Sequence, residues 1–301
     1  NGINDVTVKT TSGAGASNVG VAGSLAINVV NMSYVAEIPT EVTADDSVEV
    51  IAEGKNKIET VAGASTAMEG EEKSTGVGAS FAILSANLNA IAGIKDVEVT
   101  AGGKLTVSAA MDSEVLTETE TGAKGAEEEE AAEGEEEEKP ENTPEAQSEE
   151  STNVAVGMTV AVINGKVEAV LGENSVIEAG EIELTANNKV ISNVNAGAAA
   201  EADGLAVGVS IVVDVVNMDT VAQLAGTVTA EGEIKVTTTD EFRNVIMASG
   251  GGNGASGAYV AIVVVDQAAK AKAAVITGRA TAELELFGWQ IEFGVSGDLL
   301  S

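Results

Sequence analysis

Apolar and polar residues alternate with a period of two along most of the chain, and this alternation predicts strands rather than helices. Within the stretch NVGVAGSLAINVVNMSYVAEI, residues 18–38, large apolar side chains occupy most alternate positions from Val19 to Val29, and small ones lie between them. Helical periodicity fails in most windows. Two Ala-rich stretches, residues 195–202 and 266–275, occupy positions that are strands in other repeats, so they are interpreted as strand and turn. The pattern predicts an all-β protein.

The same strand pattern occurs in five copies, which indicates a repeat architecture. Similar apolar segments surround Ser24, Ser80, Thr159, Ser210 and Tyr259. Their spacing is roughly 50 residues once an acidic stretch between the second and third copies is set aside. Units of this size cannot bury an apolar face alone and must stack on their neighbours. We therefore expect a repetitive β-solenoid, similar to a parallel β-helix, with about five repeats.

A second motif follows each strand, and it predicts two short strands around a tight turn. It reads EVTADDSVEVIA at residues 41–52 and EVTAGGKLTVSA at residues 98–109. Asp and Gly in the middle of an alternating pattern favour a β-hairpin. With a third, weaker segment, each unit is expected to hold four or five strands. In the second copy, the positions predicted to face inward are Val97, Val99, Leu105 and Val107.

The two faces of the opening strand are interpreted by the size of their side chains. The large face is expected to line the core, and its residues are Val19, Val21, Gly23, Leu25, Ile27 and Val29. The small face is either an internal contact between layers or a surface on which molecules assemble, as in silk-like stacking. The candidate residues for this assembly face are Gly20, Ala22, Ser24, Gly208 and Ser210.

Three asparagines follow their serine markers at equal distances, namely Asn31, Asn87 and Asn217. Stacked asparagine side chains can form a hydrogen-bonded ladder at the corner of a solenoid, and ordinary turn asparagines are the alternative interpretation. Both interpretations make these residues structural. No catalytic role is assigned to them.

The repeat domain is expected to span residues 1–286, with one interruption. Residues 126–150 are acidic and of low complexity, which predicts a disordered insertion. This insertion is interpreted as a solvated linker, and a weak, multivalent calcium sink is the alternative. Residues 287–301 break the pattern and are interpreted as a terminal cap or a cut edge.

The composition mainly excludes kinds of functional site and of binding partner. The chain of 301 residues has no Cys and no His, so cysteine nucleophiles, Ser-His-Asp triads and His-ligated zinc sites are excluded. The formal net charge of −33 repels nucleic acid and anionic membranes. Nucleic-acid binding is therefore not expected. No apolar run is long enough to span a bilayer, so membrane insertion is not expected either. The sequence is interpreted as a mature protein or an excised fragment.

Candidate catalytic chemistry is sparse. Parallel β-helix enzymes that act on polysaccharides gather charged residues in a cleft, yet the chain has two arginines, Arg243 and Arg279. Sugar-binding clefts stack aromatic rings on the substrate, and Tyr34, Tyr259 and Trp289 are scattered. We expect no enzymatic activity, no catalytic residues, no cofactor and no metal site. A carbohydrate-active β-helix enzyme remains the third hypothesis.

The segment VGASFAI, followed by VEVTAGGKLTVSA, resembles the repeat of large bacterial filamentous adhesins of the leukotoxin type, similar in style to filamentous haemagglutinin. The resemblance covers most of residues 18–286. It implies an extracellular or cell-surface β-solenoid shaft without catalytic residues, whose partners are further repeats of the same chain, other protomers and a receptor that the sequence does not specify. A monomeric rod within a longer chain is the first hypothesis. A self-assembling subunit of an extracellular fibre or surface layer is the second.

Overall fold

The computed structural model describes residues 1–16, 18–68, 74–124, 151–202 and 205–251, and the backbone of residues 255–273 and 276–288. All regular structure in these ranges is β, and every strand pair is parallel. The strands form two sheets, and we call the seven-stranded one sheet 1 and the five-stranded one sheet 2. The prediction of an all-β protein is confirmed.

The two sheets take alternate strands of the chain. Sheet 1 contains β1 (Gly2–Ala16), β3 (Val42–Ala44), β4 (Val48–Met68), β6 (Glu98–Lys124), β8 (Val176–Glu201), β10 (Thr227–Gly251) and β12 (Ile276–Gly288). Sheet 2 contains β2 (Val19–Ile38), β5 (Thr75–Ile94), β7 (Thr152–Leu171), β9 (Leu205–Leu224) and β11 (Ala255–Ala273). Both Ala-rich stretches thus lie largely within strands, as predicted.

Strand order in each sheet follows chain order. Sheet 1 runs β1-β4-β6-β8-β10-β12 with β3 beside β6, and sheet 2 runs β2-β5-β7-β9-β11. Thr10 contacts Ser24 and Asn4 contacts Tyr34, so the strands of the two sheets run in opposite directions. Each passage of the chain therefore adds one layer to a stack of two facing sheets.

The prediction of four or five strands per unit is wrong, because most units contain two long strands. The predicted hairpin at residues 41–52 is also wrong: β3 and β4 both pair in parallel with β6, Val42 opposite Val99 and Val48 opposite Leu105. Later copies carry a register shift at this place inside one continuous strand. Parallel pairing with the next layer overrides the local turn signal, and in the later copies the extra residues form an irregularity in the strand.

The pairing register reproduces the sequence repeat. Ser24 lies opposite Ser80, as the repeat predicts. In the third copy, however, the residue beside Ser80 and Ser210 is Gly157 and not Thr159. The marker chosen for that copy is therefore displaced by two residues, which keeps the correct face but shifts the row.

The space between the sheets has two unlike halves. In the wide half large aliphatic side chains are fully buried, among them Leu88, Ile94, Leu105, Leu171 and Leu184. The narrow half is lined by small side chains, and its apolar clusters consist of Ala26, Ala62 and Ala82, and of Ala123, Ala155, Ala198, Ala200 and Ala206. The inward positions predicted for Val99, Leu105 and Val107 are confirmed, since all three are fully buried.

The large residues of sheet 2 change sides along each strand. In β2, the outward side chains from Val19 to Val29 are 54–68% exposed, apart from Gly23, and the side chains between them face sheet 1. Beyond this point the large residues turn inward, beginning with Val30, which is buried. The assignment of the large face to the core is therefore wrong for the first half of the strand. The small face is buried there because it allows the two sheets to approach closely.

Glycine permits the closest approach in the narrow half. A Cβ atom added to Gly157 in β7 would lie 2.8 Å from the carbonyl oxygen of Gly197 in sheet 1. Such a distance is shorter than non-bonded carbon and oxygen atoms tolerate, and a backbone carbonyl cannot rotate away as a side chain does. The two backbones would have to separate to admit a methyl group.

We expect Gly157→Ala to destabilise the fold by about 1–3 kcal/mol, the usual cost of adding atoms to a filled interior. Gly23→Ala is the matched control, because a Cβ atom on Gly23 meets no described atom within 4 Å. Urea unfolding followed by far-UV circular dichroism measures both changes. Equal effects of the two substitutions would contradict the close approach of the sheets.

Candidate interaction surfaces

The inner face of sheet 2 contains the residues that the sequence proposed as an assembly face. Gly20, Ala22, Ser24, Gly208 and Ser210 are buried and face sheet 1. Within this chain they form an internal contact between the two sheets, which is the first of the two alternatives. The side of these strands that is open to another molecule carries the large residues instead.

Hydroxyl groups join the two sheets across the narrow half. Ser24 Oγ lies 2.7 Å from Thr10 Oγ1, and Thr119 Oγ1 lies 2.9 Å from Thr159 Oγ1. Such neutral hydrogen bonds contribute about 1 kcal/mol each and satisfy these four hydroxyls. Short side chains can meet in this way only where the sheets are close. The polar interior thus serves the fold.

Asn31, Asn87 and Asn217 belong to one row across sheet 2. The register pairs Asn31 with Asn87 and places Asn164 between Asn87 and Asn217. The row lies on the outer face within the strands, so these residues are at neither a corner nor a turn. Sequence reasoning missed Asn164 because the marker in that copy was displaced; counting from Gly157 would have found it.

This asparagine row divides the outer face of sheet 2. On one side of it lie every second residue from Val19 to Val29 and their register partners in β5, β7 and β9, a region we call the apolar half. One of its rows consists of Leu25, Phe81, Met158 and Ile211. No position of the apolar half carries a charge. Contiguous exposed apolar areas often mark interaction sites, so the apolar half is a candidate surface for one.

The outer face of sheet 1 is charged. Glu59 pairs with Lys57 at 2.9 Å and with Lys9 at 3.2 Å, and hydrogen bonds from these lysines lower the pKa of Glu59. Lys104 pairs with Glu183, whose hydrogen bond raises the pKa of Lys104. Surface pairs of this kind, whose charged groups remain in contact with solvent, contribute little to stability. Their main effect is to make this face hydrophilic, in contrast to the apolar half of sheet 2.

A shallow groove of about 730 Å³ crosses the outer face of sheet 1. Its lining is mainly glycine, alanine, serine and threonine, and one row of its floor contains Gly63, Glu120, Gly197 and Ser249. Glu120 is the single carboxylate among the lining residues. The groove as described therefore lacks the pair of carboxylates that glycoside hydrolysis ordinarily uses.

Two carboxyl groups lie buried between the sheets. Asp214 accepts a hydrogen bond of 2.9 Å from Ser192 Oγ, and Asp240 accepts one of 3.0 Å from Asn188 Nδ2. Burial raises the pKa of both carboxyls to about 6, against the opposing effect of these hydrogen bonds. Sequence reasoning missed both. The available signal was an Asp within an apolar strand, VGVSIVVDVV, where other copies have Asn28, Leu84 and Ala161.

Several expectations concern residues outside the described ranges. These include the acidic residues 126–150, with their alternative as a calcium sink, and Trp289 with the rest of the C-terminal segment; Phe287 and Gly288 belong to β12. Among the residues that the structure describes, no three carboxylates come together as a metal site. The described part likewise contains no helix of the length and hydropathy that a membrane span requires.

Two features of the described residues are thus candidate binding surfaces, the apolar half of sheet 2 and the groove on sheet 1. The apolar half is larger and has no charge, whereas the groove has a floor of small side chains. No family model matches the chain, and no curated protein or solved structure matches it.

Proposed function

We propose that the chain is a segment of a β-solenoid shaft in an extracellular or cell-surface bacterial adhesin, with a structural and adhesive role and no catalysis. The observation that supports the proposal is the shared register of both sheets. Ser24 stacks on Ser80, and Asn31 on Asn87, in one sheet, while Val50 stacks on Val107 in the other. A chain that adds one strand to each sheet per unit lengthens by repetition, as a shaft must.

The resemblance to filamentous adhesin repeats adds the adhesive role. Such a shaft uses further repeats of its own chain as neighbours and presents its faces to other protomers or to a receptor. The charged outer face of sheet 1 keeps it hydrophilic in an extracellular setting, and the absence of cysteine makes the stack independent of the redox state of its surroundings.

A second candidate is a self-assembling subunit of a fibre or surface layer. The observation that favours it is the pair of long edge strands, β1 with 15 residues and β2 with 20 residues, at the same end of the two sheets. An edge of this length offers unpaired backbone groups to another chain. Addition of chains at the edges would extend the stack without any further repeat in the sequence.

Negative-stain microscopy of the purified chain separates these two functions. A shaft segment is expected to give discrete particles, roughly 65–90 Å along the strands and roughly 30 Å along the stacking direction. Filaments that lengthen with protein concentration would contradict the shaft segment and favour the fibre subunit. Small-angle scattering at several concentrations provides the same distinction in solution.

A further inference from the structure

The apolar half of sheet 2 is exposed to a degree that is unusual for large aliphatic side chains. In the edge strand β2, Val21, Leu25 and Val29 are 54–68% exposed. Their register partners in β5, β7 and β9 are partly exposed, because strands flank them on both sides. No tail or loop of the described chain covers this face.

The size of the apolar half matches a protein interface. Eleven residues along each strand span roughly 36 Å, and four strands span roughly 19 Å, which gives roughly 700 Å². The largest apolar patch on a typical monomer is about 300–600 Å². A stable complex of standard size buries about 800 Å² on each partner. The patch is therefore large for a free monomer and close to what one half of a dimer interface requires.

The distribution of charge favours a second copy of this chain as the partner. The apolar half has no charged position, so two such faces meet without repulsion or unpaired charge. Stacked sheets lie about 10 Å apart, so the charged outer faces of the two sheets 1 would be about 30 Å apart in a four-sheet stack. At physiological ionic strength the Debye length is about 8 Å, and salt screens repulsion over that distance.

The same charges disfavour a lipid surface. The formal net charge of −33 repels an anionic membrane. On the polar side of the asparagine row, Lys166 is held by Glu168 at 2.8 Å, so the border of the apolar half has no free lysine at that position for lipid phosphates. A sheet face composed mainly of aliphatic side chains is instead well suited to packing on the face of another sheet.

We infer that the apolar half of sheet 2 is the interface of a homodimer in which two copies pack face to face. The two sheets 2 form the inner layers and the two charged sheets 1 form the outer layers. The row of Leu25, Phe81, Met158 and Ile211 lies near the middle of the contact, and the asparagine row lies at its border. The contact is two-fold symmetric and closes after two copies. The inference goes beyond the proposed function and does not rest on it.

Sedimentation equilibrium and light scattering of the purified chain test the dimer. Twice the chain mass is expected at micromolar concentrations. Leu25→Glu combined with Ile27→Glu should raise the dissociation constant on the order of 100-fold or more, because symmetry places four carboxylates in an apolar contact. Both residues are solvent-exposed within one copy, so circular dichroism should show an unchanged fold. Val21→Thr with Val29→Thr is a milder pair that keeps the shape and the β-propensity and should weaken the dimer in the same direction.

The matched control is Ile3→Glu, an exposed aliphatic residue at the edge of sheet 1, which should leave the dimer intact. A chain that stays monomeric at 100-fold higher concentration overturns the inference, as do glutamate variants that dimerise like the wild type. Phosphatidylcholine vesicles are the probe for lipid. Flotation of the chain with them that depends on Leu25 and Ile27 would reassign the face to a membrane and also overturn the dimer.

Spin labels identify the face that forms the contact. The chain has no cysteine, so Ile27→Cys and Ile3→Cys each introduce a single site for labelling. A label at Ile27→Cys should show strong coupling between copies, whereas a label at Ile3→Cys should show only distances beyond about 30 Å, the separation of the outer sheets. The reverse result would place the contact on sheet 1. Filaments in negative-stain microscopy would contradict the proposed shaft function. The distances between spin labels would still decide whether the face-to-face contact exists.

Discussion

Lowering the pH from 7 to 4 is expected to stabilise this protein against urea, because two carboxyl groups are buried between the sheets and, among the residues that the structure describes, no cation pairs with them. The pKa of Asp214 and that of Asp240 are raised by burial from 3.8 to about 6. The folded state therefore keeps protons that the unfolded state releases between about pH 4 and pH 6. The stabilising contribution is complete below the unfolded pKa and is lost as the pH rises through the folded pKa.

The size of the effect follows from the shift. A pKa shift of about two units changes the free energy of unfolding by about 3 kcal/mol for each carboxyl between the two ends of the pH range. Glu59 acts in the opposite direction, because its lowered pKa makes its ion pairs weaken in acid, but its lysine partners are exposed to solvent, which screens the pairs and keeps their contribution small. Loss of negative charge on the surface in acid adds to the stabilisation and has to be separated from it by substitution.

Asp214→Asn and Asp240→Asn isolate the buried groups. Both amides are neutral, and Asn28 already occupies the register position of Asp214 in the first copy. Each variant should be more stable than the wild type at pH 7, by about 1–3 kcal/mol, and should show a flatter pH dependence. Asp219→Asn, on the outer face of β9, is the matched control and should retain the wild-type slope. If the double variant Asp214→Asn, Asp240→Asn kept the wild-type dependence of stability on pH, ionisation of the two buried carboxyls would not reduce the free energy of unfolding, which would contradict the prediction.

The substitution Ala82→Leu is expected to destabilise the fold by about 1–3 kcal/mol, and by more if the sheets cannot move apart. Ala82 is fully buried in the narrow half, in a cluster with Ala26 and Ala62. The same substitution three residues earlier, Ala79→Leu, enlarges a side chain on the outer face of the same strand. The control should lie within about 0.5 kcal/mol of the wild type, as surface changes usually do.

This pair of variants decides which face of β5 is inside. Urea unfolding should be measured at low protein concentration, since association of the outer faces would add to apparent stability. If Ala79→Leu were the more damaging change, the large residues would line the core as the alternation first indicated. The narrow half would then be a surface, and the assignment of both faces would have to be exchanged.

The repeat and its register were accessible from the sequence, because parallel in-register layers place equivalent residues side by side. The letters VVNM recur at residues 29–32 and 215–218, and the structure places these two segments in the same rows of sheet 2. The asparagine row follows from the same logic. Asn164 escaped because Gly157, which has no side chain, is a poor marker for a repeat that is otherwise marked by serine.

Alternation alone does not show which face of sheet 2 is buried. A period of two shows that a strand has two faces, yet both faces of β2 are uncharged before Asn31, and size favoured the wrong one. What selects the small face is the opposite sheet, whose carbonyl groups approach Gly157 and whose threonine hydroxyls meet Ser24 and Thr159. Such contacts join residues that are far apart in the sequence and leave no local pattern.

The hairpin was mispredicted for a related reason. Asp45 and Asp46 carry a turn signal, and the alternating residues on both sides are what a hairpin shows. The residues on both sides of this turn pair in parallel with β6 instead, so they take their backbone hydrogen bonds from the next layer and not from each other. The buried Asp214 was equally hard to anticipate, because nothing in its own strand indicates that Ser192 supplies a hydrogen bond from the other sheet.

The connection between β6 and β7 shows what the parallel layers imply for the integrity of the molecule. Thr75 opposes Thr152 and Ile94 opposes Leu171 without a shift, and β6 pairs with β8 up to Lys124 opposite Glu201. The long acidic segment in this connection leaves the layers on either side in register. Covalent continuity and cohesion are thus separate properties here. A protease cut between β6 and β7 leaves two fragments held by two complete strand interfaces, and they part only when the layers themselves unfold.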